Sequence, residues 1–127
     1  MPVERRIDVV VAEDDGAFAE CVRAMVDEQP RLTVVGVAAD GLEAIELVDK
    51  LGPHAVVIDL HMPLLDGVNA IARLRREHPH LCLIALTGDS DAELHEAVRR
   101  AGADAVLEKG EIVGLLIDRL TKVRTGR

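Results

Sequence analysis

IDVVVAEDDGAFAECVRAMVDEQP, residues Ile7–Pro30, is the stretch from which the rest of the chain can be read. A continuous apolar run, Ile7 to Ala12, suits a strand buried on both faces, as parallel strands are. Three acids follow at once: Glu13, Asp14 and Asp15. The spacing then turns helical, with Phe18, Cys21, Val22, Met25 and Val26 at i, i+3, i+4, i+7 and i+8, one stripe for a core, and Pro30 closes the segment. The stretch is thus one strand-to-helix unit with charge at the junction.

The same unit recurs. Apolar runs at Leu32–Ala38, Ala55–Leu60, Leu81–Thr87 and Ala105–Leu107 alternate with helical spacing, predicting five strands and five helices. Asp40 with Glu43, and Ser90 with Glu93, have the spacing of capping boxes for the second and fourth helices. Asp66-Gly67 reads as turn chemistry opening the third helix, and Gly102 as the stop after Leu94, Ala97, Val98 and Ala101. Strict alternation implies a parallel sheet with right-handed crossovers and helices on both faces. Five units are too few for a closed eight-stranded barrel, which leaves an open doubly wound α/β fold of the flavodoxin-like (βα)5 kind, order 2-1-3-4-5. The second strand ends in Ala38 and Ala39, as befits an edge strand away from the crevice.

At 127 residues one domain, 1–127, is expected. Phe18 is the single aromatic residue in a chain that is 49% hydrophobic, so the core must be aliphatic. A net charge of −8 argues against direct nucleic-acid binding, and Arg73, Arg75 and Arg76 read as a solvated helix face. Cys21 and Cys82 have no metal-ligand spacing and read as small buried hydrophobes in a reducing compartment. His54, His78, His80 and His95 likewise lack metal spacing. Met1 to Arg6 contain no apolar signal segment, and no run is long enough to cross a bilayer, so a cytosolic location is expected.

In such sheets the functional crevice lies beyond the carboxyl ends of the strands. The residues found there are Glu13, Asp14 and Asp15 after the first strand, Asp59 at the third, Thr87 at the fourth and Lys109 after the fifth. Carboxylates gathered so closely want a cation or a proton. Hard oxygen ligands suit Mg²⁺, which keeps several waters and takes one or two carboxylates plus a phosphate oxygen. A carboxylate beside that ion can attack a phosphoryl group, with the metal and Lys109 neutralising the charge on its oxygens and Thr87 offering a hydroxyl. The plainer alternative is that Glu13 and Asp14 cap the first helix and Lys109 is their counter-ion.

Over roughly Arg6 to Val123 the sequence resembles the receiver domains of two-component response regulators. The resemblance rests on the acids after Val10-Val11-Ala12, on Val57-Ile58-Asp59-Leu60-His61-Met62-Pro63-Leu64-Leu65-Asp66-Gly67, on Ala85-Leu86-Thr87-Gly88, and on Lys109 after Gly102-Ala103-Asp104. It implies that Asp59 is the phosphoacceptor and that Glu13, Asp14, Asp59 and the backbone carbonyl of His61 hold Mg²⁺. Thr87 and Lys109 would bind the phosphoryl group, with Asp15 a neighbour. A sensor histidine kinase or phosphotransfer protein is the implied donor, and the domain would catalyse only its own modification. Leu32 to Gly41 looks like the receivers of helix-turn-helix transcriptional regulators, although no such output domain is present in this chain.

Two departures stand out against that family. Val106 occupies the place, three residues before the site lysine, where receivers usually carry Tyr or Phe, and Gly110 stands where many have Pro. A branched aliphatic side chain has no ring to swing, so the usual coupling of Thr hydroxyl and aromatic cannot operate in its usual form. His61 and Asp89 lie where the family modulates hydrolysis of the phosphoryl group. The final helix carries apolar residues on more than one side, Ile112, Leu116 and Leu120, then Val113 and Ile117, with Leu115 beyond. The surplus suggests a homodimer or kinase contact through the fourth helix, fifth strand and fifth helix. Alternatives are a degenerate receiver acting as a binding module independent of phosphorylation, a phosphohydrolase, which would want a second Asp where His61 stands, and a flavin carrier, which would want aromatic residues.

Overall fold

A computed structural model describes residues 6–62, 64–88 and 90–123, with backbone alone at 111–113. Five strands, β1 (Ile7–Ala12), β2 (Leu32–Ala38), β3 (Ala55–Asp59), β4 (Cys82–Thr87) and β5 (Ala105–Glu108), alternate with five helices. The helices are α1 (Gly16–Asp27), α2 (Gly41–Leu51), α3 (Gly67–Glu77), α4 (Ala92–Ala101) and α5 (Ile112–Thr121), with a 3₁₀ turn at Lys109–Glu111 before the last. All pairings are parallel and the order is β2-β1-β3-β4-β5. This is the doubly wound, flavodoxin-like sheet expected from the alternation.

Successive strand residues serve opposite faces, as the two-residue period of a strand requires. Val10, Ala12, Val56, Ile58, Leu83 and Ala85 pack under α2, α3 and α4 with Ile45, Ile71, Leu74 and Val98. Val9, Val11, Ala55, Val57, Ile84 and Leu86 pack under α1 and α5 with Val22, Val26, Leu116 and Leu120. The central strands β1 and β3 are covered on both sides, which is why they read as unbroken apolar runs. Among the described residues no helix is long and apolar enough to cross a membrane.

Four local expectations need correction. Cys21 is exposed, because the buried face of α1 runs through Ala19, Val22 and Val26 and lies to one side of it; Cys82 is partly buried. The N-cap of α4 is Asp91, whose carboxylate accepts the Glu93 N–H at 2.8 Å, so the helix starts one residue later than a Ser90 cap implies. Ala97 is exposed, leaving Val98 as the buried residue of α4. Arg75 is no solvated side chain. Its guanidinium donates to the carbonyls of Gly102, Pro79 and Leu81 and to Asp104 Oδ2, at 2.8–3.0 Å. Gly102, at φ +124°, leaves room for it: a Cβ there would lie 2.7 Å from Arg75 Cβ and Cγ.

The Asp40–Glu43 box forms with a shift. Asp40 accepts the Glu43 N–H at 2.8 Å, while Glu43 reaches the N–H of Ala39 at 2.7 Å. Asp66 caps α3 through the Asn69 N–H, and Gly102 ends α4, as their spacing predicts. Leu116 and Leu120 are buried, Ile117 is partly so and Leu115 is 51% exposed. The expectations placed on Pro63, on Asp89, on the side chains of Ile112 and Val113, and on residues 1–5 and 124–127 lie outside the described residues.

Candidate functional site

Register alone assembles the site. Ala12 pairs with Ile58, which sets Glu13 beside Asp59 at the carboxyl ends of β1 and β3. Asp59 pairs with Leu86, so Thr87 stands one residue beyond it, and Thr87 pairs with Glu108, so Lys109 stands one beyond that. Residues 13, 59, 87 and 109 therefore step across one rim of the sheet although they are far apart in the chain.

The side chains meet there. Carboxylate oxygens of Glu13, Asp14 and Asp59 lie within 4.8 Å of one another. Glu13 and Asp59 are each 3% exposed, Thr87 is fully buried and Asp14 is open to solvent. Lys109 Nζ reaches Glu13 Oε1 at 3.0 Å and Asp59 Oδ2 at 3.4 Å. The other oxygens take backbone donors: Glu13 Oε2 accepts the Asp15 N–H at 3.1 Å, and Asp59 Oδ1 accepts the His61 N–H at 3.3 Å. His61 is thus tied to Asp59 through its backbone while its side chain is exposed. Behind them, Gly67 lets the start of α3 close on the strand end, since a Cβ there would lie 2.5 Å from the Asp59 carbonyl oxygen.

Electrostatically the cluster is short of positive charge. Burial pushes the Glu13 carboxyl above its usual range and the Asp59 charge adds to the rise, against the Asp15 N–H and the Lys109 ammonium, which favour the anion. Burial disfavours the Lys109 ammonium, but Glu13 and Asp59 outweigh it, so its pKa rises and the charge stays. Glu13 Oε1 is buried and makes no hydrogen bond of good geometry; the ammonium at 3.0 Å meets it as an ion-pair partner only. A buried anionic oxygen with one ion-pair partner and no hydrogen bond of good geometry is costly, and a further cation would offset that cost. Three hard oxygen donors, one of them solvent-facing, fit a divalent ion that keeps part of its water.

The capping alternative falls to the next residue. Asp15 is the N-cap of α1, accepting the N–H groups of Ala17 and Phe18 at 3.0 and 3.2 Å, and this leaves Glu13 and Asp14 for the rim. Two features escaped the sequence. Phe18, read as part of the core stripe, carries its ring 4.7 Å beneath the Lys109 ammonium. His78, read as having no metal spacing, has Nε2 2.8 Å from Asp49, with Glu77 beside them, a grouping made across α2 and α3 that no spacing within one element announces. Glu77 is held there by Arg73 at 3.1 Å.

Comparison with known proteins agrees with this fold. The family model for the response regulator receiver domain matches residues 9–121. The chain belongs to that family. The receiver domain of CheB from Thermotoga maritima superposes with a TM-score of 0.86 at 25% identity, over 94% of this chain and 96% of that one. The receiver domain of the regulator NarL from Mycobacterium tuberculosis does so with a TM-score of 0.85 at 26% identity, over 94% and 99%. Among curated relatives, protein-glutamate methylesterase/protein-glutamine glutaminase 4 of Myxococcus xanthus is 40% identical over 102 residues, 80% of this chain and 29% of the relative. The transcriptional regulatory protein DegU of Brevibacillus brevis is 30% identical over 123 residues, 97% of this chain and 52% of the relative. The chain thus spans at most about half the length of these relatives, and what it shares with them is the receiver. Its function is that of a receiver in phosphorelay signalling.

Proposed function

We propose that Asp59 is the phosphoacceptor of this receiver, charged by a sensor histidine kinase or a phosphotransfer protein in a Mg²⁺-dependent step that the domain catalyses on itself. An Asp59 carboxylate oxygen attacks the phosphorus of the donor phosphohistidine. The new O–P bond replaces the N–P bond, whose electron pair returns to the imidazole. Glu13, Asp14, Asp59 and the His61 backbone carbonyl would hold the ion. Bound Mg²⁺ would neutralise charge that gathers on the phosphoryl oxygens. Lys109 supplies a second positive charge, and the Thr87 hydroxyl serves the same oxygens. The observation that carries this reading is the register-driven meeting of Glu13, Asp14, Asp59 and Lys109 on one rim, where the Lys109 ammonium reaches both Glu13 and Asp59.

The added phosphoryl group shifts a two-state equilibrium by its differential stabilisation of the two states. Val106, aliphatic and partly buried against the α2–α4 side, replaces the usual ring, so the readout differs from the common receiver pattern. Leu115, exposed on α5, supports a homodimer or kinase contact through α4, β5 and α5. The net negative charge supports a protein-directed output without direct nucleic-acid contact, and a cytoplasmic setting follows from the proposed donor. No external substrate is turned over, and residues 1–127 act as a single domain.

Acetyl phosphate and Mg²⁺ followed by intact-mass measurement tests the assignment. Wild type is expected to gain one labile phosphate, and Asp59→Asn none. Equal gain by both proteins would remove Asp59 from its role. No gain, with beryllofluoride and Mg²⁺ also leaving the spectrum unchanged, would make the chain a binding module that works without phosphorylation.

A further inference from the structure

Three groups meet the Lys109 ammonium. Glu13 Oε1 lies at 3.0 Å, Asp59 Oδ2 at 3.4 Å, and the centroid of the Phe18 ring 4.7 Å from Nζ. An ammonium within about 6 Å of a ring centroid is attracted by the negative face of the ring, the more so when partly desolvated. The Lys109 side chain is 27% exposed, so much of its shell is protein. A flexible lysine stem carries substantial rotamer entropy. What confines this one is a cation–π contact together with an anionic pair, because the ring faces the ammonium without offering it an oxygen.

We propose that Phe18 is a positioning residue for phosphoryl transfer, acting through the face of its ring on the Lys109 ammonium. The ring restricts Nζ to the side where Asp59 stands, so the positive charge is in place before the phosphoryl group arrives. Contact with the ring face also lets Nζ pivot from Glu13 towards a phosphoryl oxygen without first being re-solvated. This places the one aromatic side chain of the protein on α1, a different element from β5, where receivers usually carry theirs. The inference rests on the phosphoacceptor role of Asp59.

The composition supplies an unusually clean test. Phe18 is the sole phenylalanine, and the chain has no Tyr or Trp, so feeding cells fluorinated phenylalanines alters position 18 alone. The series Phe, 4-fluoro-, 3,5-difluoro- and 3,4,5-trifluorophenylalanine drains charge from the ring face stepwise while nearly preserving shape. With acetyl phosphate and Mg²⁺, the rate constant for phosphate gain at saturating donor is expected to fall stepwise, reaching about fivefold at three fluorines. Unfolding midpoints and the Mg²⁺ concentration giving half the maximal rate are expected to stay put. In a Lys109→Gln background the slower residual rate is expected to be the same across the series, since the cation is gone.

A flat rate series in the Lys109 protein would overturn the proposal, as would a fall that tracks the unfolding midpoint or persists in Lys109→Gln. Those outcomes differ from failure of the underlying assignment. If Asp59 is not the acceptor, the unfluorinated wild type gains no phosphate, or gains as much as Asp59→Asn, and the positioning role falls with it.

Discussion

The two ends of the sheet use charge in opposite ways. At the amino-terminal end of β4 and β5, Arg75 spreads its donors over three carbonyls and Asp104, and Asp104 also accepts the Leu83 N–H at 2.8 Å. Each charge there is answered by partners of good geometry, and the result ties α3 to the starts of two strands and to the end of α4. At the carboxyl-terminal end three carboxylates gather, Lys109 pairs with two of them, Glu13 and Asp59, and the buried Glu13 Oε1 meets that ammonium at 3.0 Å without good hydrogen-bond geometry. Complete partnering marks a structural clamp. Incomplete partnering at a place built by register is what the proposed cation would complete.

Breaking the clamp is expected to have the larger effect on stability. Arg75→Ala strands the Gly102 and Leu81 carbonyls and leaves Asp104 without its cation. Part of the network is solvent-accessible, so the loss is set at about 2 kcal/mol in urea unfolding. Cys82, at the same end, provides a second readout. Burial pushes its thiol up to about 11, with Asp104 adding to the rise, so almost no thiolate is present at neutral pH. Its alkylation then depends on opening of the fold and should quicken by about thirtyfold in Arg75→Ala. A variant within about 0.5 kcal/mol of wild type would show that the clamp is no more than surface decoration.

Across the site rim the contrast sharpens to adjacent residues. Asp15 caps α1 and Asp14 faces the cluster. Asp15→Ala should cost about 1 kcal/mol of stability and leave phosphate gain intact. Asp14→Ala should leave stability unchanged while raising the Mg²⁺ requirement by about tenfold or more, given what even outer-shell groups contribute to metal affinity. Urea curves and Mg²⁺ titrations of the acetyl phosphate reaction on both variants check the pair. A shared profile would mean that the two acids are not divided in this way.

That division also marks where the sequence stops being readable. The sheet order and the rim residues Glu13, Asp59, Thr87 and Lys109 were legible, because a parallel βα fold delivers strand ends to one edge and those ends are visible as charge after apolar runs. Which of three consecutive acids caps the helix was not legible. Each has the right chemistry, and the backbone angle at Asp15 decides. The same one-residue ambiguity moved the α4 cap from Ser90 to Asp91. Arg75 was misread for another reason: its partners lie in the loops before β4 and β5, and nothing within its own helix distinguishes it from Arg73 or Arg76. Phe18 fits an apolar stripe equally well whether its ring meets a leucine or an ammonium.

The smallest effect tests the idea of incomplete partnering most directly. Because burial raises the Glu13 pKa in the folded protein, at pH between the unfolded and folded values the folded chain holds a proton that the unfolded chain has already released. The stability from this group is complete below the unfolded carboxyl value and is lost as pH rises through the folded value, so the ionised form of Glu13 is a net cost. Glu13→Gln keeps the shape and removes the charge. Without Mg²⁺ it should therefore be slightly more stable than wild type at pH 7, and the gap should close as pH falls towards the range where a free carboxyl protonates. Adding Mg²⁺ should reverse the order, since a cation stabilises the state that binds it in proportion to the charge it meets. Were wild type the more stable protein at pH 7 without the ion, the Lys109–Glu13 pair would outweigh the burial, and the rim would be a finished salt bridge rather than a site short of one positive charge.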